Sequence, residues 1–155
     1  MLLCSVSCLL LTACAEEPVE EEPLTQILYY EPLARGLQTT LADTIATEVV
    51  IRDSVTWAQY RDSLQAPVPL PEADFSQSMV VLVGRRFASG GYDLDIDAID
   101  VTDDGLLVTY VVNEPDDNCV TTMGLTYPYT AVVTPPTPGP VRFATVTRTF
   151  SCAMD

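Results

Sequence analysis

Alternating apolar and polar residues predict a mainly β protein. From Thr25 onward the chain is rich in β-branched and aromatic residues, in short segments separated by Gly, Pro, Asn and Asp. About seven of these segments have the length and pattern of strands. The predicted strands are 27–30, 44–52, 79–83, 92–101, 106–112, 127–133 and 141–150, and a further short apolar segment covers 120–125.

One segment has helical spacing instead. Trp57, Tyr60 and Leu64 recur at intervals of three and four residues, as the buried face of a helix requires. Asp53 or Ser54 can cap the first turn, because a short polar side chain accepts hydrogen bonds from the free N–H groups there. A proline-rich connector follows, so the sequence predicts a single short helix.

Turn signals connect the predicted strands into antiparallel pairs. The uninterrupted apolar segment 79–83 is typical of a buried central strand. Gly90 and Gly91 permit a tight reversal after it, and the Asp-Asp-Gly sequence at 103–105 is typical of a hairpin. We therefore predict a compact antiparallel β sandwich or barrel of about seven strands with one short helix, as a single domain over 25–155.

Composition and charge exclude many catalytic designs. The 155 residues contain no histidine and no lysine, and the seven basic residues are all arginine. This composition removes imidazole bases, the commonest zinc ligand and lysine nucleophiles. The 22 acidic residues give a net charge of -15, which repels nucleic acid and anionic lipid headgroups. We therefore expect no enzyme activity, no metal, no cofactor and no nucleic-acid partner.

The N-terminal residues have the pattern of an export signal. Residues 1–13 are uncharged, apolar or small, and too few to span a bilayer. The sequence Leu-Thr-Ala-Cys at 11–14 resembles the lipobox of bacterial lipoproteins, which implies that Cys14 carries lipid. Residues 14–24 then form an acidic tether, and Ala15 resembles the signal for outer-membrane sorting. We expect a lipid-anchored protein of the bacterial cell envelope; the alternative is a buried apolar strand with an incidental cysteine.

Two of the five cysteines remain for the folded domain. Cys4 and Cys8 lie in the predicted signal, and Cys14 is assigned to lipid. Because an even number of cysteines remains in an oxidising compartment, we predict a structural disulfide between Cys119 and Cys152. The alternative is a redox-active pair, which favours a CxxC spacing that this chain lacks.

The acidic segment 93–97 can be interpreted as a strand or as a calcium-binding loop. Its aspartates alternate with apolar residues, as in a half-buried strand whose carboxylates face water. Alternate carboxylates also occur in calcium loops, but Ala98 stands where an EF-hand loop requires glycine. A glycosidase carboxylate pair and Ser89 as a hydrolase nucleophile are further alternatives, and neither has a supporting motif. The strand interpretation is therefore preferred.

A series of landmarks runs through about residues 48–145. The landmarks are Val50-Ile51-Arg52, Trp57, Asp74-Phe75-Ser76, Met79-Val80-Val81, Gly84, Ser89-Gly90-Gly91-Tyr92, Pro115, Cys119, Tyr127-Pro128-Tyr129, Val141 and Phe143. Their order resembles the C-terminal domain of the PrcB family, named for a lipoprotein subunit of a protease complex. The resemblance implies a lipid-anchored, noncatalytic accessory domain that helps to stabilise or assemble its partner protein, a protease in that family.

The turn after the central strand is the candidate partner-binding site. Its residues are Arg85, Arg86, Phe87, Ser89, Gly90, Gly91 and Tyr92. Arginine and aromatic residues are enriched in interface hot spots, but a Gly-Gly turn is also what two adjacent strands need. We predict that Tyr92 points inward, which leaves Arg85, Arg86 and Phe87 for partner contacts. A Gly-Tyr loop also resembles chagasin-like cysteine-protease inhibitors, so an inhibitor-like or ligand-binding module is the alternative function.

Overall fold

The computed structural model describes residues 26–37, 46–64, 66 and 69–153. The predicted signal at 1–13, the predicted lipidation site Cys14 and the tether at 14–24 lie outside the described residues. No helix in the described ranges is long and apolar enough to cross a membrane.

The described residues form ten strands and one helix. In chain order they are β1 Gln26–Ile27, β2 Glu31–Gly36, β3 Ala46–Ile51, α1 Ser54–Ser63, β4 Met79–Arg85, β5 Phe87–Ser89, β6 Asp93–Thr102, β7 Gly105–Pro115, β8 Met123–Thr126, β9 Tyr129–Thr134 and β10 Val141–Phe150. The predicted mainly β fold with one short helix is confirmed. The structure has three strands more than the predicted seven: β2 and β5 had no predicted counterpart, and β8 lies in the further segment 120–125.

The strands are arranged in three open sheets. Sheet A has the order β1-β6-β7-β10, sheet B the order β2-β9-β4-β3, and β5 pairs with β8 in a two-stranded ribbon. Sheets A and B enclose a shared apolar core, so the architecture is a sandwich and the barrel alternative is wrong.

One strand pair departs from the predicted antiparallel arrangement. β10 runs parallel to β7 over ten residues, from Val141 opposite Leu106 to Phe150 opposite Pro115. A parallel pair needs a long connection, and here the chain passes through β8 and β9 in the other sheets before it returns to sheet A.

Strand β4 is buried on both faces, as its uninterrupted apolar sequence predicts. Met79, Val81 and Val83 pack into the core between the sheets. Val80 and Leu82 point to the other face of sheet B, where they share a second core with the helix. The helix therefore forms a third layer, and Trp57 is its fully buried anchor.

The helix begins where its sequence predicts. Asp53 is the N-cap, and its Oδ1 accepts a hydrogen bond of 2.8 Å from the Thr56 N–H. The Trp57 indole N–H donates to the Pro71 carbonyl at 3.3 Å, which attaches the connector to the helix. The helix ends at Ser63, with Leu64 as its C-cap.

Strand β6 alternates as predicted, with its aspartates on the solvated face. Leu94 and Ile96 are buried in the core, and a bulge after Ile96 brings Ala98 into register with β7. Asp93 and Asp95 form ion pairs with Arg35 of β2, and Asp97 with Arg148 of β10. These arginines satisfy the carboxylates that the calcium interpretation assigned to a metal.

Candidate functional site

The predicted site residues lie along one continuous stretch that joins the two sheets of the sandwich. Arg85 ends β4, Phe87 and Ser89 begin and end β5, and Tyr92 immediately precedes β6. Strand β5 pairs antiparallel with β8, with Phe87 opposite Thr126 and Ser89 opposite Met123. We call this pair the β5–β8 ribbon.

Two stacked aromatic rings attach the base of the ribbon to the sandwich. The rings of Phe87 and Tyr92 are nearly parallel, with centroids 4.1 Å apart, and both pack against the core between the sheets. The Arg85 guanidinium carbon lies 5.7 Å from the centre of the Phe87 ring. Tyr92 is therefore a packing residue, and Phe87, which we expected to contact a partner, is also half-buried.

The Tyr92 hydroxyl is bonded to the end of β7, an interior strand of sheet A. It donates to Glu114 Oε1 at 3.2 Å. Desolvation raises the pKa of Tyr92, and the neighbouring Glu114 carboxylate raises this pKa further. Tyr92 is thus a neutral hydrogen-bond donor at physiological pH.

The two glycines of the turn are needed for different reasons. Gly91 has a φ of +91°, which residues with a Cβ rarely adopt. Gly90 donates its N–H to the Thr122 carbonyl at 2.9 Å, and a Cβ at this position would collide with the Thr122 hydroxyl. The structural interpretation of the turn therefore accounts for both glycines without a ligand.

The exposed apolar residues of the ribbon come from the segment around β8. Val120 and Met123 are fully exposed, and Leu125 is 73% exposed. Met123 and Leu125 lie on one face of β8, because side chains alternate along a strand. A Cβ at Gly124, on the opposite face, would meet no atom within 4 Å, so β8 is open on that face too. We call Val120, Met123 and Leu125 the apolar edge of the ribbon.

Sequence reasoning placed the site at 85–92 and missed the apolar edge. The signal was the apolar segment 120–125, which a strand in a main sheet would bury. It stays exposed because β8 pairs only with the short strand β5, and a two-stranded ribbon has no second layer of its own.

The predicted disulfide is confirmed and lies at the start of the apolar edge. Cys119 and Cys152 are bonded, with Cα atoms 4.9 Å apart. Nearby, the Asp116 N–H donates to the Phe150 carbonyl at 2.9 Å. The disulfide therefore joins the end of β10 to the segment that leads into β8.

The hydrolase and metal alternatives concern Ser89 and the acidic side chains. Ser89 lies in β5, where its carbonyl accepts a 2.7 Å hydrogen bond from the Thr126 hydroxyl. Within the ranges that the structure describes, no group of three Cys, Asp or Glu side chains is placed to hold a metal.

The alternative function, ligand binding, would use a cleft of about 270 Å³ between β2, β6 and β9. Tyr30, Leu33, Arg35 and Asp95 contribute to its walls. Arg35 forms a 2.8 Å ion pair with Asp95, and the Tyr30 hydroxyl donates to the Ile96 carbonyl at 2.7 Å. The polar groups of the cleft thus bond to one another, which leaves mainly apolar contacts for a ligand.

Comparison with known proteins supports the resemblance over part of its predicted extent. Residues 79–135 match the family model described as PrcB C-terminal. The matched segment runs from β4 to β9 and contains the whole ribbon, but it is narrower than the predicted 48–145. No curated protein matches the chain. No solved structure matches it either.

Proposed function

We propose that this protein is a noncatalytic, protein-binding subunit, held at the bacterial cell envelope by lipid on Cys14. The observation that carries the proposal is the apolar edge of the ribbon. Val120, Met123 and Leu125 are exposed within one six-residue segment, next to the stacked rings of Phe87 and Tyr92 at the base of the ribbon. Exposed apolar groups that lie close together are typical of a surface that a partner covers.

The energetics favour a partner at this edge. Burying a Val, Leu or Met side chain stabilises by about 1.5 to 3 kcal/mol relative to leaving it exposed. Arg86, which is exposed at the join between β4 and β5, adds a residue type enriched in interfaces. The apolar edge would supply the desolvated centre of an interface, and the surrounding polar groups its rim.

The match to the PrcB C-terminal family supports an accessory, assembly or stabilising role, with a protease as the proposed partner class. The alternative is a protease inhibitor that uses the same exposed ribbon. The two roles differ in the activity of the bound protease. A protease recovered with an accessory subunit remains active, whereas a protease recovered with an inhibitor is inactive until the inhibitor is released.

The proposal is tested by capture from solubilised bacterial membranes with the full-length lipoprotein as bait. The double variant Met123→Ser/Leu125→Ser removes most of the apolar edge while keeping the ribbon's main-chain bonds. The matched control is Val55→Ser, because Val55 is a similarly exposed apolar residue, at 68%, on the helix. Quantitative mass spectrometry of the captured proteins should show a partner that the wild type and Val55→Ser retain and the double variant loses.

Thermal melting separates a binding defect from a folding defect. All of the substituted side chains are exposed, so the variants should have the melting temperature of the wild type. Equal recovery of the same proteins by the wild type and the ribbon variant would contradict the proposal.

A further inference from the structure

The second exposed feature of the molecule is the outer edge of sheet A. β10 is the last strand of this sheet, and in the described part of the chain no strand pairs with its other side. It is ten residues long, or about 33 Å. Its register with β7 continues without a shift from Val141 to Phe150.

The other edge strands of the two main sheets carry features that discourage strand addition. β1 has two residues, and β6 bulges where it extends beyond β1. β2 contains Pro32 and an irregular register, and β3 directs the Glu48 carboxylate toward Tyr110 of sheet A, whose hydroxyl lies 2.7 Å away. Short length, proline, bulges and inward charges are the usual protections of an edge. β10 has no proline, no bulge and no carboxylate.

Two hydrogen bonds establish which main-chain groups of β10 face outward. Leu106 N–H donates to the Pro140 carbonyl and Asp116 N–H to the Phe150 carbonyl, each at 2.9 Å. In an unshifted parallel ladder, alternate residues direct their N–H and C=O to the same neighbour, so the even-numbered residues bond to β7. The N–H and C=O groups of the odd-numbered residues face the open edge; these residues are Val141, Phe143, Thr145, Thr147 and Thr149.

The charge of β10 indicates the partner. It carries Arg142 and Arg148 and no acidic residue, in a chain whose net charge is -15. The two arginines lie on the solvated face, six residues apart, and each remains more than half exposed in its ion pair. Exposed ion pairs of this kind are weak, so both arginines can turn to a carboxylate on a neighbouring strand.

A second copy of the chain fits this edge less well. An antiparallel pair of β10 strands centred on Thr145 places Arg142 directly opposite the partner copy's Arg148, and like charges opposite one another are destabilising. Any such pair brings together four arginines and no acid from the strands themselves. At physiological ionic strength the Debye length is about 8 Å, so the four arginines act on one another at the close range of a strand pair.

We propose that β10 binds an extended, acidic segment of a partner protein, which adds a strand to sheet A and places carboxylates opposite Arg142 and Arg148. The outward N–H and C=O groups of the odd-numbered residues form the hydrogen bonds to the added strand. The two arginines make the site prefer a segment that contains Asp or Glu. This surface is separate from the apolar edge of the ribbon.

Two fluorescein-labelled peptides test the proposal on the full-length protein by fluorescence anisotropy. The first, TEVTVTVEVT, has glutamates six residues apart, the spacing of Arg142 and Arg148. The second has lysines in place of the glutamates. Two cross-strand charge pairs predict that the acidic peptide binds about tenfold more tightly or better, and Arg142→Gln/Arg148→Gln should remove this difference.

Thr147→Pro tests the main-chain ladder. This substitution removes an N–H that β7 does not use, and proline is tolerated in an edge strand when its missing N–H would face outward. Acidic-peptide affinity should fall about tenfold or more, with Thr147→Ala as the control that keeps the N–H and binds normally. Circular dichroism of both variants should show the wild-type fold.

Three results would overturn the proposal: no binding at millimolar peptide, equal affinity for both peptides, or equal affinity of Thr147→Pro and Thr147→Ala. Light scattering supplies another contrary outcome, since a dimer that Thr147→Pro dissociates would identify a second copy as the occupant. Met123→Ser/Leu125→Ser should bind the acidic peptide normally, so failure at β10 and failure of the proposed function are distinguishable.

Discussion

Replacing Tyr92 with alanine tests whether this residue anchors the ribbon or contacts a partner. The ring stacks on Phe87 at 4.1 Å and packs against the core between the sheets. Loss of a fully buried aromatic side chain destabilises by about 3 to 5 kcal/mol. Tyr92 is half-buried, so about half of this loss applies, and the lost stacking adds about 0.5 to 1.5 kcal/mol.

These contributions predict that Tyr92→Ala lowers the free energy of unfolding by about 2 to 4 kcal/mol. For a domain of this size the melting temperature should fall by roughly 10 °C. Chemical denaturation and differential scanning calorimetry measure the two quantities. Tyr92→Phe keeps the stacked ring and loses only the hydrogen bond to Glu114, so it should melt within a few degrees of the wild type.

Tyr29→Ala is the matched control, because Tyr29 is 74% exposed. Its melting temperature should stay close to that of the wild type. If Tyr92→Ala also melted like the wild type, while losing a partner that the wild type captures, the anchoring role would be refuted and Tyr92 would belong to the binding surface.

Four further predictions concern the turn, the disulfide, the anchor and the helix cap. Gly90→Ala should destabilise the domain through collision with the Thr122 hydroxyl, and Thr122→Ala should restore much of the loss in the double variant, measured by urea unfolding. Cys119→Ser/Cys152→Ser should lose about 3 to 4 kcal/mol of stability by the chain-entropy account, whereas wild-type protein that labels at both thiols without reduction would contradict the bond. Cys14→Ser should move the protein from the membrane fraction to the soluble fraction; retention after carbonate washing would refute lipid anchoring. Hydrogen bonds from the Thr56 N–H, and next from the Thr56 hydroxyl, lower the pKa of Asp53. The stabilising effect of this carboxylate is therefore present above pH about 4 and is lost as the pH falls through the lower pKa of the folded state. If Asp53→Ala and the wild type lost the same stability in acid, this contribution would be excluded.

Local patterns were sufficient to predict the long elements. β10 occupies the predicted 141–150, the helix has its predicted cap at Asp53, and the apolar segment 79–83 lies in the doubly buried strand β4. In each case the residues themselves determine the outcome: an N-cap side chain, a helical period, or an apolar run that needs cover on both faces.

Long-range pairing was not predictable from these patterns. The parallel pairing of β10 with β7 depends on how the chain travels between the sheets, and no residue of β10 specifies it locally. The segment 120–125 mixes three apolar residues with two threonines and a glycine, so its sequence does not show whether another layer covers it. The candidate site was therefore located at the turn, while the exposed apolar residues Val120, Met123 and Leu125 were missed.

Site-specific photo-cross-linking in intact cells tests the central claim, that the apolar edge of the ribbon binds a partner protein. A benzophenone amino acid is introduced at Met123 and at Val55 on the helix, which are 100% and 68% exposed. We predict that the probe at Met123 gives a discrete covalent adduct with a protein partner, one that Val55 does not give and that Leu125→Ser weakens. Absence of an adduct at Met123, or the same adducts at Met123 and Val55, would contradict the account.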